Sequence, residues 1–104
     1  MTRFVKVATT SELAPGQAKK VEVDGKTIAL FNLEGGYHAI DDTCPHRGGP
    51  LSKGPVDGEV VTCPWHGSKF NVKSGDVLTR PARTGVSSYR VRVSGSDIEM
   101  ELEA

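Results

Sequence analysis

The sequence lacks several features that mark large protein classes. It has 13 basic and 13 acidic side chains, so its formal net charge is zero, whereas a nucleic-acid-binding face needs an excess of basic residues. No segment approaches the roughly 18 to 20 consecutive apolar residues of a membrane-spanning helix. The stretch 1–13 also lacks the apolar core of a signal peptide. We therefore expect a protein that binds neither nucleic acid nor membrane.

Cysteine is also scarce, with two residues in a chain of 104, Cys44 and Cys63. In the absence of an export signal the expected compartment is the cytoplasm, where thiols stay reduced. The two cysteines are therefore expected to be metal ligands or reactive thiols rather than a structural disulfide. This length predicts one domain, 1–104, with a modest core that a bound metal or cofactor would reinforce.

Extended helical patterns are missing, and short apolar runs alternate with turn residues along most of the chain. Apolar residues alternate with arginine in 89–93 and with glutamate in 98–102, which is typical of strands with one buried face. Asp24-Gly25 lies between two strand-like runs and predicts a tight hairpin. Only 11–13 resembles a helical turn. The pattern predicts an all-β fold, a small antiparallel sandwich or barrel.

Two segments interrupt this alternation, 41–58 and 79–84, and the first is rich in glycine and proline. A long irregular segment inside a small domain is usually functional. The first segment contains Cys44-Pro45-His46. Sixteen residues separate His46 from the second motif, Cys63-Pro64-Trp65-His66. Two thiolates and two imidazoles suit either a tetrahedral Zn²⁺ or an iron–sulfur cluster in which histidines replace two cysteines.

The order of these four residues favours a binuclear centre. A structural zinc site commonly takes its cysteines as one close pair and its histidines as another. Here each short motif supplies one cysteine and one histidine. This suits Cys44 and Cys63 as ligands of one iron, and His46 and His66 as ligands of the other, redox-active iron. A zinc-stabilised interaction module is the alternative.

The segments CPHRGGPLSKG (44–54) and CPWHGSKFNVKSG (63–75) resemble the paired cluster loops of Rieske proteins. The resemblance extends to a third, proline-bearing loop around Pro81. It implies the Rieske fold, in which an antiparallel base domain carries a cluster-binding subdomain, here at about 42–83. It also implies one [2Fe–2S] cluster held by Cys44, His46, Cys63 and His66.

The sequence departs from the high-potential members of that family at three positions. Those proteins have two further cysteines that bridge the cluster loops, and the matching positions here are Gly49 and Trp65. They also use a serine and a tyrosine to donate hydrogen bonds to the cluster sulfurs. Ser68 matches the serine, but Phe70 replaces the tyrosine. We therefore expect a reduction potential toward the lower end of the Rieske range of about −150 to +300 mV, and below about +100 mV.

The same resemblance implies an electron carrier rather than an enzyme. Ring-hydroxylating oxygenases also need a mononuclear iron held by two histidines and a carboxylate, and only His38 remains once His46 and His66 are assigned. We expect a stand-alone ferredoxin that passes electrons from a flavin-dependent NAD(P)H reductase to a terminal oxygenase. The alternative is a small redox subunit of a larger enzyme such as nitrite reductase.

The resemblance also predicts where partners dock. In Rieske folds the histidine ligands lie at the tip of the domain, near solvent, so His46 and His66 are expected to be the exit for the electron. The expected apolar collar around them comprises Pro45, Pro50, Leu51, Trp65 and Pro81. The remaining histidine, His38, lies in a strand-like run and is expected to be structural or exposed.

Overall fold

The structure, a computed structural model, describes residues 2–33, 36–44, 48–65, 67–79 and 84–103. Within these ranges the chain forms ten strands and two single-turn 3-10 helices. The strands are β1 (Thr2–Thr9), β2 (Ala18–Val23), β3 (Lys26–Leu33), β4 (Gly36–Asp41), β5 (Val56–Asp57), β6 (Val60–Thr62), β7 (Lys69–Asn71), β8 (Ser88–Tyr89), β9 (Val91–Ser94) and β10 (Asp97–Glu103). The helical turns are Thr10–Glu12 and Leu51–Lys53.

The strands form three antiparallel sheets. One has the order β1-β10-β9, the second β2-β3-β4-β8 and the third β5-β6-β7. The third sheet lies in the chain between β4 and β8, so it is an insertion into the second sheet. The expected all-β, antiparallel fold is confirmed.

Strand β3 is the centre of the molecule because both of its faces are buried. Its side chains alternate between two cores. Ile28 and Leu30 belong to a core shared with the sheet of β1, β10 and β9, while Phe31 and Leu33 belong to a core shared with β6 and β7. A strand that is covered on both faces is expected to have buried residues at successive positions. In β3, six consecutive residues from Ile28 onward are buried.

The predicted hairpin at Asp24-Gly25 is present, and a second hairpin joins β9 and β10. Strands β2 and β3 join through Asp24 and Gly25, whose φ values of 50° and 78° are those of a tight two-residue turn. Strands β9 and β10 join through a second two-residue turn at Gly95 and Ser96. In β10 the side chains of Ile98, Met100 and Leu102 are buried, as their alternation predicts.

The structure corrects two local expectations. The run 89–93 is not one strand, because Tyr89 pairs with β4 whereas Val91 and its successors pair with β10. The chain thus crosses between two sheets at Arg90, and Val93, near the end of an edge strand, is 48% exposed rather than buried. The segment 41–58 is also less irregular than expected, since it contains the helical turn Leu51–Lys53 and strand β5.

Within the ranges that the structure describes, no helix has the length and apolar character needed to cross a membrane.

Candidate metal centre

Each cysteine lies at the start of a six-residue loop that closes like a hairpin. In loop one (44–49) the flanking residues Thr43 and Pro50 form an isolated antiparallel bridge. In loop two (63–68) the flanking residues Thr62 and Lys69 are paired as the last pair of the β6–β7 ladder. In both loops, therefore, the residue before the cysteine pairs with the residue seven positions further on.

The two loops are also closed by the same hydrogen bonds. The amide of Gly48 donates to the carbonyl of Cys44 (N···O 2.8 Å), and that of Gly67 donates to Cys63 (3.0 Å). In return, the cysteine amides donate to the carbonyls of Gly49 (2.9 Å) and Ser68 (2.7 Å). Gly48 and Gly67 have φ values of 79° and 80°, a left-handed conformation that favours glycine. The same closure thus places each cysteine at the root of its loop.

Both cysteines are buried in one apolar core. Cys44 is 1% exposed and Cys63 is 2% exposed, and they do not form a disulfide. Their core also contains Leu51, Val61 and Phe70. The fold therefore brings together two thiols that are 19 positions apart in the sequence (63 − 44) and excludes water from them.

The segment between the two loops holds them in contact. Thr62 donates its amide to the carbonyl of Pro55 at 3.0 Å. The preceding Gly54 lies so close to Thr62 that a Cβ on it would be 1.9 Å from the Thr62 carbonyl oxygen, a distance no side chain tolerates. The exit of loop one thus packs directly on the strand that leads into loop two.

The residues on either side of the third, proline-bearing loop are held by hydrogen bonds near loop two. Leu78 donates its amide to the carbonyl of Lys69 at 2.7 Å, and the Lys69 amide donates to the hydroxyl of Thr79 at 2.9 Å. The segment after the third loop is held by a hydrogen bond from the amide of Val86 to the carbonyl of Gly75 at 2.8 Å. The expected loop centre, Pro81, lies outside the described residues.

A buried carboxylate supports loop one, and sequence analysis did not single it out. Asp42 is 3% exposed, and its Oδ1 accepts a hydrogen bond from the Ser52 amide at 2.7 Å. The carbonyl of Asp42 accepts a second bond, from the amide of Leu51, at 2.7 Å. Together these bonds hold the helical turn that follows loop one. No local sequence signal predicts them, because they join residues nine and ten positions apart across the loop.

The positions that differ from high-potential relatives lie where the resemblance implies. Gly49 is buried, and a Cβ on it would lie 3.1 Å from Cγ of Trp65 and 2.7 Å from Sγ of Cys63. Gly49 and Trp65 are thus neighbours across the two loops, as the partners of a bridging disulfide must be. Ser68 and Phe70 are fully buried beside the same core.

The predictions for the site residues and for the apolar collar differ in how the structure bears on them. His46 and His66, together with Pro45 and Pro81, lie outside the described residues, so their roles remain predictions. The prediction that Leu51 belongs to the apolar collar is wrong, because Leu51 is 0% exposed and packs in the same core as Cys44 and Cys63. The position of Leu51 is explained by the helical turn, which directs it inward. Pro50 is half-buried, and Trp65 is 56% exposed.

The third histidine, His38, lies in β4 opposite Phe31 of β3 and is half-buried. Its pKa is lowered, chiefly by burial and further by the positive charge of Lys73, while the carboxylate of Glu59 opposes the shift. Burial thus disfavours the charged form of His38, and its role as a structural or exposed residue stays a prediction.

The donor chemistry fits an iron–sulfur cluster. Two buried thiols lie in one core, each at the root of a loop that carries a histidine in the sequence. Among the described residues no group of three or more His, Cys, Asp and Glu side chains forms a metal site. The sequence motifs predict that the two further donors are His46 and His66, which lie outside the described residues. Two thiolates with two imidazoles are the ligands of a Rieske centre.

The comparisons with known proteins agree with this chemistry. The family model for the Rieske [2Fe-2S] domain matches residues 3–90. The biphenyl dioxygenase ferredoxin subunit of Pseudomonas sp. strain KKS102 is 36% identical over 96 residues, which cover 91% of this chain and 88% of that relative.

Two solved structures have the same fold. The first is a complex of reduced oxygenase and oxidized ferredoxin of carbazole 1,9a-dioxygenase. Its matching chain has a TM-score of 0.87 and 31% identity, covering 93% of this chain and 91% of that one. The second is described as an NADH-dependent nitrite reductase small subunit from Mycobacterium tuberculosis. It has a TM-score of 0.89 and 27% identity, covering 100% of this chain and 98% of that one. By its matching family model, its fold and its buried cysteine pair, the chain belongs to the Rieske [2Fe-2S] domain family and carries one cluster of that type.

Proposed function

We propose that this chain is the ferredoxin component of a multicomponent oxygenase, an electron carrier without catalytic residues of its own. It would take single electrons from a flavin-dependent NAD(P)H reductase and deliver them to a terminal oxygenase. The observation that carries the proposal is the pair of like-closed loops that bury Cys44 and Cys63 in one core. The extensive similarity to a dioxygenase ferredoxin subunit of nearly the same length supports it.

The proposed ligands are Cys44, His46, Cys63 and His66, with the cysteines on the inner iron and the histidines on the outer one. When bound, the cluster supplies a one-electron redox couple. The chain contributes a dry environment for the thiolates, since Cys44 and Cys63 are almost fully buried. It also contributes loops fixed by short hydrogen bonds, which limit structural change when the charge of the site changes.

The sequence cannot supply an oxygenase site as well. A mononuclear iron centre needs two histidines and a carboxylate. The chain has three histidines, of which two are proposed cluster ligands and the third, His38, is half-buried in β4. The chemistry on the organic substrate is therefore assigned to the partner.

We place the cluster-binding subdomain at about 42–83 and the docking surface at the loop tips. The sheet of β5, β6 and β7 lies in this segment, inserted between β4 and β8. The exposed part of Trp65 in loop two suits a transient protein contact, because aromatic side chains are enriched at such interfaces. The proposed location is the cytoplasm, which keeps both ligand thiols reduced before the cluster is inserted.

A second function has one observation in its favour, namely the fold shared with a nitrite reductase small subunit. In that case the chain would be a fixed subunit of a larger enzyme rather than a shuttle. The two functions differ in the partner: a shuttle binds transiently to two proteins in turn, whereas a subunit co-purifies with one.

The test is spectroscopic and then kinetic. We expect the dithionite-reduced protein to give a rhombic EPR signal whose average g value lies below that of all-cysteine ferredoxins. His46→Cys and His66→Cys should each move that signal or abolish it. We also expect the reduced protein to donate electrons to an aromatic-ring oxygenase in stopped-flow mixing. A colourless protein that contains zinc, or an EPR signal unchanged in both variants, would contradict the proposal.

A further inference from the structure

Gly49 of loop one lies directly against two residues of loop two. A Cβ at this position would be 2.7 Å from Sγ of Cys63, and 3.1 and 3.2 Å from Cγ and Cδ2 of Trp65. Gly49 is not among the residues with positive φ, so its backbone conformation is open to any residue. The space, rather than the conformation, requires glycine here, because the indole and the ligand sulfur already occupy the room that a side chain needs.

The exposures of these three residues show how the contact is arranged. Trp65 is 56% exposed, whereas Cys63 and Gly49 are buried. One part of the indole therefore faces solvent while its Cγ–Cδ2 edge lies on the backbone of loop one, beside the sulfur of Cys63. A tryptophan that served only in docking would not have to pack against a glycine of the other loop.

We propose that Trp65 is a positioning residue that ties loop two to loop one across Gly49 and keeps water from the sulfur of Cys63. This inference rests on the proposed function in one respect, the assignment of Cys63 as a cluster ligand. The tie is non-covalent and joins Trp65 of loop two to Gly49, the last residue of loop one. The packing of Gly54 on Thr62 is a second contact between the segments that flank the loops. Without the indole, loop two keeps its internal hydrogen bonds but loses the packing of Trp65 on Gly49.

The consequence for the cluster follows from water access. Solvent exposure and hydrogen bonding at the sulfurs help to set the potential of an iron–sulfur centre. Removal of the indole exposes Cys63, so iron should be lost faster to a chelator, and the reduced, more negative state should be favoured by the entering water.

The first test measures iron release from the holoprotein to an excess of a chromogenic ferrous chelator. We expect Trp65→Ala to raise the first-order rate about tenfold, the equivalent of one modest packing interaction. Trp65→Phe keeps an aromatic edge over Gly49 and should restore most of the slow rate. Leu78→Ala is the matched control, since Leu78 is similarly exposed (49%) but is not among the nearest neighbours of a Cβ at Gly49. Its rate should equal that of the wild type.

The second test separates positioning from general stabilisation. The reduction potential of Trp65→Ala should become more positive, while that of Leu78→Ala stays unchanged. Gly49→Ala should also release iron faster, because its methyl group must displace either the indole or the sulfur.

Two results would overturn the inference: wild-type release from Trp65→Ala, or release that is equally fast from Trp65→Ala and Leu78→Ala. Neither result would touch the proposed function, which is tested separately by the EPR signals of the wild-type protein and of its histidine variants.

Discussion

The two ligand loops have the same backbone closure but different support and different chemistry. Each is a six-residue loop in which a glycine four positions after the cysteine closes the turn. In the sequence, however, the histidine is two positions after Cys44 and three after Cys63. The two loops therefore share one pattern of hydrogen bonds, but the histidine occupies a different sequence position within each loop. The comparison teaches that the backbone fixes the cysteines symmetrically, while the position of the histidine distinguishes the loops.

Support from behind the loops also differs. Loop two continues on both sides into the paired strands β6 and β7, and its anchor is a sheet. Among the described residues, loop one is flanked by the isolated bridge between Thr43 and Pro50, and the helical turn after it is held by Asp42. Loop one thus depends in part on a side-chain hydrogen bond to Asp42, whereas loop two is anchored in a ladder of paired strands.

The largest expected effect tests the symmetric part of this comparison. Cys44→Ser and Cys63→Ser should each lose the cluster, because a buried hydroxyl replaces one of the two thiolates proposed as ligands of the inner iron. Iron content and visible absorbance of the purified variants measure the loss. Far-UV circular dichroism is the control for folding. Full iron content in either variant would show that the loops do not contribute equally.

The next effect should be confined to loop one. Asp42→Ala removes the acceptor for the Ser52 amide and should cost about 1–2 kcal/mol, in the range of a lost helix cap. For a domain of this size that corresponds to a fall in thermal midpoint of roughly 4–16 °C.

Asp57→Ala is the matched control, since that carboxylate is exposed on the neighbouring strand β5. Equal midpoints for the two variants would show that the buried bond does not support loop one.

Asp42 also marks the limit of what the sequence predicted. Alternating residues predicted strands such as β10, and Asp24-Gly25 predicted its hairpin, because these signals are local. The bond from Asp42 to Ser52 and the inward direction of Leu51 depend on how distant segments pack. For that reason the sequence led to the two cysteine–histidine motifs but placed Leu51 on the surface. The closeness of Gly49 and Trp65 was implied only by the resemblance to proteins in which matching cysteines bridge the loops.

A smaller effect should be equal in the two loops. Gly48→Ala and Gly67→Ala each force a Cβ into the left-handed region, which costs about 1 kcal/mol. Gly16→Ala imposes the same strain at φ 82°, outside the loops. All three variants should therefore lose similar thermal stability, but only the two loop variants should release iron faster to a chelator. Faster release from Gly16→Ala would show that iron loss follows global stability rather than loop closure.

The smallest expected effect concerns the residue that follows loop two in the core. Phe70 is fully buried in the same core as both cysteines, at the position where high-potential relatives are expected to have a tyrosine hydroxyl. Phe70→Tyr should raise the reduction potential by roughly 40 mV, the equivalent of about 1 kcal/mol for one electron, because a donated hydrogen bond stabilises the more negative reduced state. Protein-film voltammetry measures the shift.

Phe31→Tyr is the control for that last effect, since Phe31 is equally buried in the same core but belongs to β3. A tyrosine at position 31 adds the same hydroxyl to the core but not at the position next to loop two. The reduction potential should therefore stay unchanged. If both variants shift the potential alike, the polarity of the core rather than a bond at position 70 sets it. The lower potential expected for this chain would then not follow from the absence of a tyrosine beside loop two.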